Sequence, residues 1–448
     1  MALFRLKERR SMMSKENFEV FKSDLLREKY YRYTHACGLP VYIFPKKLSS
    51  TYAIFATRYG SIDNVFSTDG GESFTAVPDG IAHFLEHKLF ANEDGSDAFE
   101  HFSAIGADAN AYTSFNKTAY LFSCTDNFEA ALGELIDFVT HPYFTDASVK
   151  KECGIIAQEI KMYDDHPSES CYYGMLGGLY KNHSIKRNIC GSVESIDQIT
   201  PELLYDCYRA FYNMSNMALI VCGDVSPEEV AEIADAHLPE ASAALAVVRD
   251  KSVFEEAPSV YRTRVKRQMK VAKPIFNIAI KDTDIPTDPY ARLKKDAAMS
   301  ILSEMLFCRA GKLYSELFES ELISPDISYG YTISETFAFT SIAGEANDPE
   351  AVLSKIKEHI GSLIEGGLSE ADFERSRRVM YAEFVKEFDS TEIIANNLLT
   401  FIFESVDLLE YANIISSVTF DEVRDLLACR FRDEFFTMSC VFPLDEEQ

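Results

Sequence analysis

The chain has 448 residues, 47% of them hydrophobic, which is too long for one core and predicts two domains of about 200 residues each. Its 71 acidic residues outnumber its 44 basic residues, for a net charge of −27. This charge argues against nucleic acid and anionic membrane as partners. We interpret it as promoting solubility; the alternative is an acidic chamber that favours basic peptides.

The first residues and the cysteines bear on localisation. Residues 1–10 lack the apolar core of a secretory signal, and no run of eighteen apolar residues occurs in the chain. No membrane span is therefore expected, and a cytoplasmic location is predicted. We interpret the first residues as an extension, with Met12 or Met13 as the native start. The ten cysteines are scattered without a Cys-x-x-Cys pattern, so reduced thiols are expected.

The first half of the chain predicts a mixture of strands and helices. Residues 41–44 and 52–59 alternate apolar and polar side chains and are rich in β-forming residues, so they are predicted strands. The elements that follow are a helix around residue 83, a helix at 97–104, strands at 109–115 and 118–124, helices at 128–139, 147–163, 169–180 and 201–211, a strand at 217–223 and a helix at 227–237.

A linker at 239–258, rich in alanine and then in charged residues, precedes a second set of elements in a similar order. The predicted elements are strands at 260–265 and 275–281, helices at 289–307 and 312–320, strands at 327–333 and 337–343, helices at 349–365, 370–388, 393–403 and 420–429, and a strand at 437–442.

The pattern His83-x-x-Glu86-His87 begins the helix near residue 83. Positions four apart share one face of a helix, so both imidazoles can bind one metal ion, and Glu86 faces the same side. Two nitrogen ligands beside a carboxylate suit a metal-assisted hydrolase. The pattern by itself is also compatible with a helix that carries two incidental histidines.

A catalytic zinc needs a third protein ligand, and the predicted helix at 147–163 offers two candidates. Glu152 and Glu159 are seven residues apart, two helical turns, so they share a face. Ile155 and Ile156 lie between them, so this face is not uniformly polar. The alternative for Glu152 is a surface carboxylate paired with a lysine.

The two halves resemble each other when they are superposed along the sequence. Sliding 81–90 onto 298–307 preserves apolar positions but puts Ser300 and Glu304 where the two histidines stand. Sliding 144–160 onto 368–384 places Glu383 at the position of Glu159. The second copy therefore retains the apolar skeleton and has lost the histidines.

We therefore predict an α+β fold of two homologous halves, each a mostly antiparallel sheet packed with helices. The predicted boundaries are 1–238 for a metal-bearing N-terminal domain, 239–258 for the linker and 259–448 for a degenerate C-terminal domain that lacks the metal ligands.

The metal motif, the glutamate pair and the stretch Gly106-Ala-Asp-Ala-Asn110-Ala111-Tyr-Thr113 together resemble the pitrilysin family of zinc peptidases, the inverzincins. This family includes insulin-degrading enzyme and the mitochondrial processing peptidase. The resemblance runs over nearly the whole chain and is closest to the bacterial YmfH-like members. It implies that the two halves form half of a clamshell.

By this resemblance, one Zn²⁺ per chain is bound by His83, His87 and Glu159, with Glu86 as the general base. Glu152 then supports the ligands from behind. The implied function is a zinc-dependent endopeptidase that hydrolyses peptides or small unfolded polypeptides by metal-activated water.

The resemblance also assigns substrate binding to Asn110 and Ala111. Small side chains there would let an extended peptide add as a strand to the sheet. The alternative is an ordinary core strand. The remaining histidines are interpreted as surface or core residues.

One departure from the family concerns the second half. Members usually carry an arginine seven residues before a tyrosine, and this pair, the Arg/Tyr clamp, grips the substrate carbonyl. Phe318 stands where the arginine is expected, and its spacing to Tyr329 is wrong. We therefore predict a heterodimer with a metal-free paralogue that supplies the clamp, or else a homodimer.

Three other functions remain open. The chain could be a catalytically silent scaffold subunit of the same fold, against which the intact motif argues. It could be a zinc hydrolase of another kind, or a dedicated maturation protease for a modified peptide. The sequence does not separate this last function from general peptide cleavage.

Overall fold

A computed structural model describes residues 18–93, 95–240 and 245–444; the predicted N-terminal extension lies outside these residues. The strands are β1 (Glu19–Ser23), β2 (Glu28–Thr34), β3 (Pro40–Pro45), β4 (Thr51–Thr57), β5 (Val65–Ser67), β6 (Thr75–Ala76), β7 (Asp108–Thr113), β8 (Thr118–Cys124), β9 (Met217–Gly223), β10 (Val248–Arg249), β11 (Arg264–Met269), β12 (Ile275–Asp282), β13 (Ser328–Ile333), β14 (Ala338–Glu345) and β15 (Phe436–Pro443). The helices are α1 (Ile81–Leu89), α2 (Ala98–Ile105), α3 (Phe128–Thr140), α4 (Asp146–Asp164), α5 (Pro167–Leu179), α6 (Val193–Ile196), α7 (Pro201–Phe211), α8 (Pro227–His237), α9 (Pro289–Phe307), α10 (Lys312–Glu319), α11 (Pro349–Gly366), α12 (Glu370–Lys386), α13 (Thr391–Phe403), α14 (Tyr411–Ser417) and α15 (Phe420–Arg430).

The chain folds into two compact units, each made of three separate segments. The first unit contains residues 1–157, 189–250 and 386–410, and the second contains 158–188, 251–385 and 411–448. The boundary after Ala157 falls inside α4, which is one continuous helix. We describe α4 with the first unit, to which its first twelve residues (146–157) belong.

The first unit is built around a seven-stranded sheet in the order β1-β2-β3-β9-β4-β8-β7. Only the β3–β9 pair is parallel, and the other five pairs are antiparallel. Strand β9 is buried at every position, as expected for a strand with neighbours on both sides and helices against it. Helix α1 packs against β7 and β8, which brings the predicted metal motif to the last strand of the sheet.

The second unit contains a five-stranded sheet in the order β11-β15-β12-β14-β13. Its β11–β15 pair is parallel and the rest are antiparallel. This is the order and direction of β3-β9-β4-β8-β7 in the first unit. The shared topology confirms the predicted α+β fold of two related halves.

Each half of the sequence contributes one helix to the sheet that the other half forms. This exchange explains why each compact unit is made of separate segments. Helix α5, early in the chain, packs on β11, β12 and β15 within the second unit. Its Gly174 and Gly178 lie so close to β15 that an added Cβ would stand 2.4 Å from the Ser439 hydroxyl oxygen and 2.3 Å from that of Thr437, respectively. Helix α13, late in the chain, packs on β4 and β9 within the first unit.

The compact units therefore differ from the predicted continuous domains at 1–238 and 259–448. The predicted linker 239–258 is also partly structured, although its residues 241–244 lie outside the described part of the chain. Strand β10 joins β5 and β6 in a three-stranded sheet, and the Arg249 guanidinium contacts Asp63. None of the helices that the structure describes is long and apolar enough to cross a bilayer.

Candidate metal centre

The predicted metal motif lies on α1, as the sequence predicts. Gly80 precedes the helix with a φ of 90°, a backbone conformation that glycine adopts without strain. His83 and His87 sit one turn apart on the same face, and their ring centroids are 4.6 Å apart. His83 is 8% exposed and Glu86 is 7% exposed, so this face of the helix is buried.

Burial determines the protonation of His83. Its pKa falls to about 3, chiefly because burial disfavours the charged imidazolium and secondarily because His87 is close. His83 is therefore neutral at physiological pH, which is the form that binds a metal ion.

His87 is oriented by Glu152. Its Nδ1 lies 3.1 Å from Oε1 of Glu152, so the Nδ1–H donates to the carboxylate and the lone pair remains on Nε2. Burial tends to raise the pKa of Glu152, but the hydrogen bond from His87 and neighbouring positive charges such as Lys88 outweigh burial, and the pKa is lowered. A carboxylate that fixes the tautomer of a histidine ligand is a common partner in zinc sites.

Three possible ligands converge beside α1, and one of them is not in the predicted set. One donor atom each of His83, Glu159 and Cys190 lies within 4.8 Å of the other two. Glu159 lies on α4, two turns after Glu152. His87, whose Nδ1 is bonded to Glu152, is not one of these three. The structure thus brings together two of the three predicted ligands and adds a thiol.

The donors fit a zinc ion. Imidazole nitrogen, carboxylate oxygen and thiolate sulfur are the three donor types that zinc takes from proteins. A neutral, buried His83 within 4.8 Å of a carboxylate and a thiol supplies them without the cost of deprotonating an imidazolium.

Glu86 is held from the other side by the sheet. Its Oε2 accepts a hydrogen bond from the hydroxyl of Thr113, at the end of β7. Glu86 also faces the buried Tyr120–Tyr212 pair, whose hydroxyl oxygens are 2.8 Å apart. Burial raises the pKa of both tyrosines, and the negative charge of Glu86 contributes to the rise. Their hydroxyls therefore stay protonated.

Strand β7 ends the first sheet, so one of its edges faces away from β8. The amide of Ala111 is bonded to the side-chain oxygen of its own neighbour Asn110 at 2.8 Å. Within the described residues β7 is therefore an edge strand of this sheet, and its Ala111 amide is bonded to a side-chain oxygen.

A cleft of about 600 Å³ joins the motif to this edge. Glu86, His87 and Glu152 line it, together with Asn110 and Ala111 of β7. Its wall also carries two exposed apolar side chains, Phe99 and Ile155. The cleft therefore combines carboxylates, an imidazole, an accessible backbone edge and apolar surface.

The residues considered for the Arg/Tyr clamp lie in the second unit. Phe318 is 45% exposed on α10 and stacks on Tyr314 with ring centroids 5.9 Å apart. The hydroxyl of Tyr329 donates to Oε2 of Glu304 at 2.6 Å. Burial and this carboxylate raise the pKa of Tyr329.

Two residues of the site were missed by the sequence prediction. Thr113 belongs to the stretch quoted for the family resemblance, but no role was assigned to it. Cys190 lies 107 positions after His83 with no motif of its own. No local pattern connects Cys190 to the His83 motif, so the sequence offered no signal for it.

Comparisons with known proteins identify the family to which this chain belongs. The model described as "Insulinase (Peptidase family M16)" matches residues 73–192, and "Peptidase M16 inactive domain" matches 198–380. The uncharacterized zinc protease YmfH of Bacillus subtilis (strain 168) is 38% identical over 436 residues, covering 93% of this chain and 97% of that one.

Two further relatives extend the comparison. The crystal structure of an M16-like peptidase from Alicyclobacillus acidocaldarius superposes with a TM-score of 0.88 at 32% identity, covering 97% of this chain and all of that one (100%). The probable mitochondrial-processing peptidase subunit beta of Schizosaccharomyces pombe (strain 972 / ATCC 24843) is 30% identical over 172 residues, 38% of each chain. On this similarity in sequence and fold, the chain belongs to the M16 family of peptidases.

Proposed function

We propose that this chain is a zinc-dependent endopeptidase that cleaves peptides or small unfolded polypeptides. The observation that carries the proposal is one cleft lined both by Glu86, His87 and Glu152 and by Asn110 and Ala111 of β7. A metal site, a carboxylate base and a strand edge are the parts that metal-assisted peptide hydrolysis requires.

His83, His87 and Glu159 would hold one Zn²⁺, with Glu152 fixing the His87 tautomer. When bound, zinc polarises the scissile carbonyl and lowers the pKa of water from about 15.7 to about 7. His83 contributes a neutral nitrogen because it is buried.

Glu86 would act as the general base. Its carboxylate takes the proton of the attacking water and later delivers it to the leaving amine. The hydrogen bond from Thr113 restricts the orientation of this carboxylate.

The substrate would bind as an added strand along β7. A carbonyl oxygen of the peptide strand would replace the side-chain oxygen of Asn110 as the acceptor of the Ala111 amide hydrogen bond. Phe99 and Ile155 supply apolar contacts to the peptide side chains.

The test is Glu86→Gln beside the wild-type chain, with zinc content measured by atomic spectroscopy. General-base catalysis contributes about 10²- to 10⁴-fold, so cleavage should fall by that factor while zinc content is unchanged. A wild-type chain that holds zinc and cleaves no member of a mixed peptide library would favour the scaffold-subunit function. Cleavage of one modified peptide alone would favour the dedicated maturation protease.

We also propose that a second chain completes the Arg/Tyr clamp, since Phe318 stands in the arginine position. One relative, the probable mitochondrial-processing peptidase subunit beta, is by its name a subunit of a larger assembly. The partner is a metal-free paralogue, or else a second copy of this chain, and the location is cytoplasmic. Full peptidase activity of the isolated chain as a monomer on size-exclusion chromatography would exclude the need for a partner.

A further inference from the structure

Cys190 brings a thiol to the candidate zinc site. Its Sγ lies 3.8 Å from Nε2 of His83, and the side chain is 4% exposed. A carboxylate oxygen of Glu159 completes a group of three donors within 4.8 Å of one another. The thiol thus belongs to a cluster of metal-binding groups and is not an isolated cysteine.

The local backbone fixes this position through two glycines. A Cβ on Gly80 would stand 2.4 Å from the Cys190 carbonyl oxygen, and a Cβ on Gly191 would stand 2.4 Å from that of Asp79. Both glycines have positive φ, 90° and 77°, so other residues would also be strained there. The segment after Cys190 is therefore packed directly against the start of α1, two residues before His83.

The separation of the two donors matches that of ligands sharing one ion. Zinc–sulfur and zinc–nitrogen distances of about 2.3 and 2.05 Å at a tetrahedral angle place the two donor atoms about 3.6 Å apart. The observed separation between Sγ and Nε2 is 3.8 Å. Little movement would be needed for both atoms to bind the same zinc.

We propose that Cys190 is an additional protein ligand of the zinc ion in the resting chain, an inference that rests on the proposed zinc-peptidase function. On metal binding the thiol loses its proton to solvent, a sulfur–zinc bond forms and one water leaves the ion. The ion then has four protein ligands, as in a closed structural site.

This ligand would make the resting enzyme latent. A peptide bound along β7 would have to displace the thiolate, which takes back a proton from solvent as its bond to zinc breaks. The thiolate would thereby prevent peptide hydrolysis until a substrate strand is bound along β7. Cys190→Ser is therefore expected to bind zinc at least about tenfold more weakly and, in excess zinc, to cleave a short peptide faster than wild type.

The direct test is the absorption spectrum of the full chain reconstituted with Co²⁺. A cobalt–thiolate bond gives a near-ultraviolet charge-transfer band, whereas visible bands report that cobalt is bound at all. We expect the charge-transfer band in the wild-type chain and in Cys124→Ser, a buried-thiol control at the end of β8. We expect it to be lost in Cys190→Ser and in Cys190→Ala.

The outcomes separate this inference from the proposed function. Bound cobalt without the charge-transfer band, or a band that persists in both Cys190 variants, would overturn thiolate ligation and leave the peptidase proposal standing. A chain that binds no cobalt would overturn both. The wild-type spectrum decides the matter even where a variant folds poorly, and circular dichroism checks the fold of each variant.

Discussion

The hydroxyl of Thr113 donates a hydrogen bond to Oε2 of Glu86, which links the last strand of the first sheet to the helix that carries the metal motif. Thr113 is held in turn by strand register, because it pairs with Thr118 on β8. The hydroxyl oxygens of the two threonines are 3.3 Å apart, and the Thr118 hydroxyl group donates a hydrogen bond to the Tyr59 carbonyl oxygen at 2.8 Å. The orientation of the base therefore depends on the strand that we propose to bind substrate.

Replacing Thr113 by valine should impair catalysis without impairing binding. Valine keeps the shape and removes the donor, and a hydrogen bond to a charged group is worth about 1.5–3 kcal/mol. We therefore expect kcat to fall by about 10- to 100-fold, with KM little changed. Steady-state kinetics on one peptide measures both constants.

Thr113→Ser is the matched control, because serine retains the hydroxyl and should restore most of kcat. Zinc content should be the same in the three proteins. If Thr113→Val loses zinc, or if serine fails to restore kcat, the threonine does not act by positioning Glu86.

Glu152 should control metal affinity through His87. Removing a partner that orients a zinc ligand typically costs 10- to 100-fold in affinity, so Glu152→Ala should raise the zinc dissociation constant by about that factor, as measured by competition with a chelator. The matched control is Glu134→Ala, which removes a second histidine–glutamate contact of the same unit, His101 Nδ1 to Glu134 at 2.9 Å. Equal losses in the two variants would contradict a specific role for Glu152.

The sequence predicts those parts of the fold that local pattern determines. Strand β9, buried along its whole length, is predicted with its observed bounds, and the internal repeat is confirmed by the matching strand orders. Strands β1 and β2 were missed because charged residues interrupt their aromatic ones, as in Glu28-Lys29-Tyr30. Strand β11 was predicted at 260–265, whereas it spans Arg264–Met269; half of its residues are charged, so no regular apolar alternation marks it.

Contacts between distant segments could not be predicted in the same way. The packing of α5 on the second sheet depends on the close approach that Gly174 permits, and nothing local to α5 indicates which sheet it will meet. The same holds for the site. The motif around His83 is contained in one helix and was predicted, whereas Cys190 reaches it through the packing of Gly191 against Asp79.

Lys117 should make stability depend on pH in the alkaline range. Burial lowers its pKa to about 8, partly offset by Glu404, although its Nζ donates to the Thr400 hydroxyl at 2.8 Å. Between pH 8 and 10.5 Lys117 is protonated in the unfolded chain and increasingly neutral in the folded chain, so the free energy of unfolding rises with pH across this window. Below pH 8 the folded chain carries the full cost of burying the charged lysine. Lys117→Met should raise the free energy of unfolding at pH 7 by up to about 3 kcal/mol and remove the slope.

Urea unfolding at several pH values measures this effect. Lys312→Met serves as the control, because that lysine side chain is 79% exposed and its removal should leave the slope unchanged. A wild-type chain whose stability is flat from pH 8 to 10.5 would contradict the prediction.

In the second unit, Lys295 and Asp282 form a buried ion pair on which the local packing depends. Nζ of Lys295 lies 2.8 Å from Oδ2 of Asp282, and the side chains are 8% and 2% exposed. Asp282 also accepts a hydrogen bond from the Tyr331 hydroxyl at 2.9 Å. Burial and the aspartate charge raise the pKa of Tyr331, so this donor remains protonated.

Breaking that pair from one side should cost more than removing both charges. Lys295→Met leaves the Asp282 carboxylate buried without its lysine, which typically destabilises by about 3–5 kcal/mol. The double variant Lys295→Met/Asp282→Asn removes both charges and keeps an acceptor for Tyr331, so it should be more stable than Lys295→Met alone. Urea unfolding of the wild type, both single variants and the double variant gives the coupling free energy. If the effects of the single variants simply add, the pair contributes nothing as a pair, and Lys295 stabilises the unit only through its own packing.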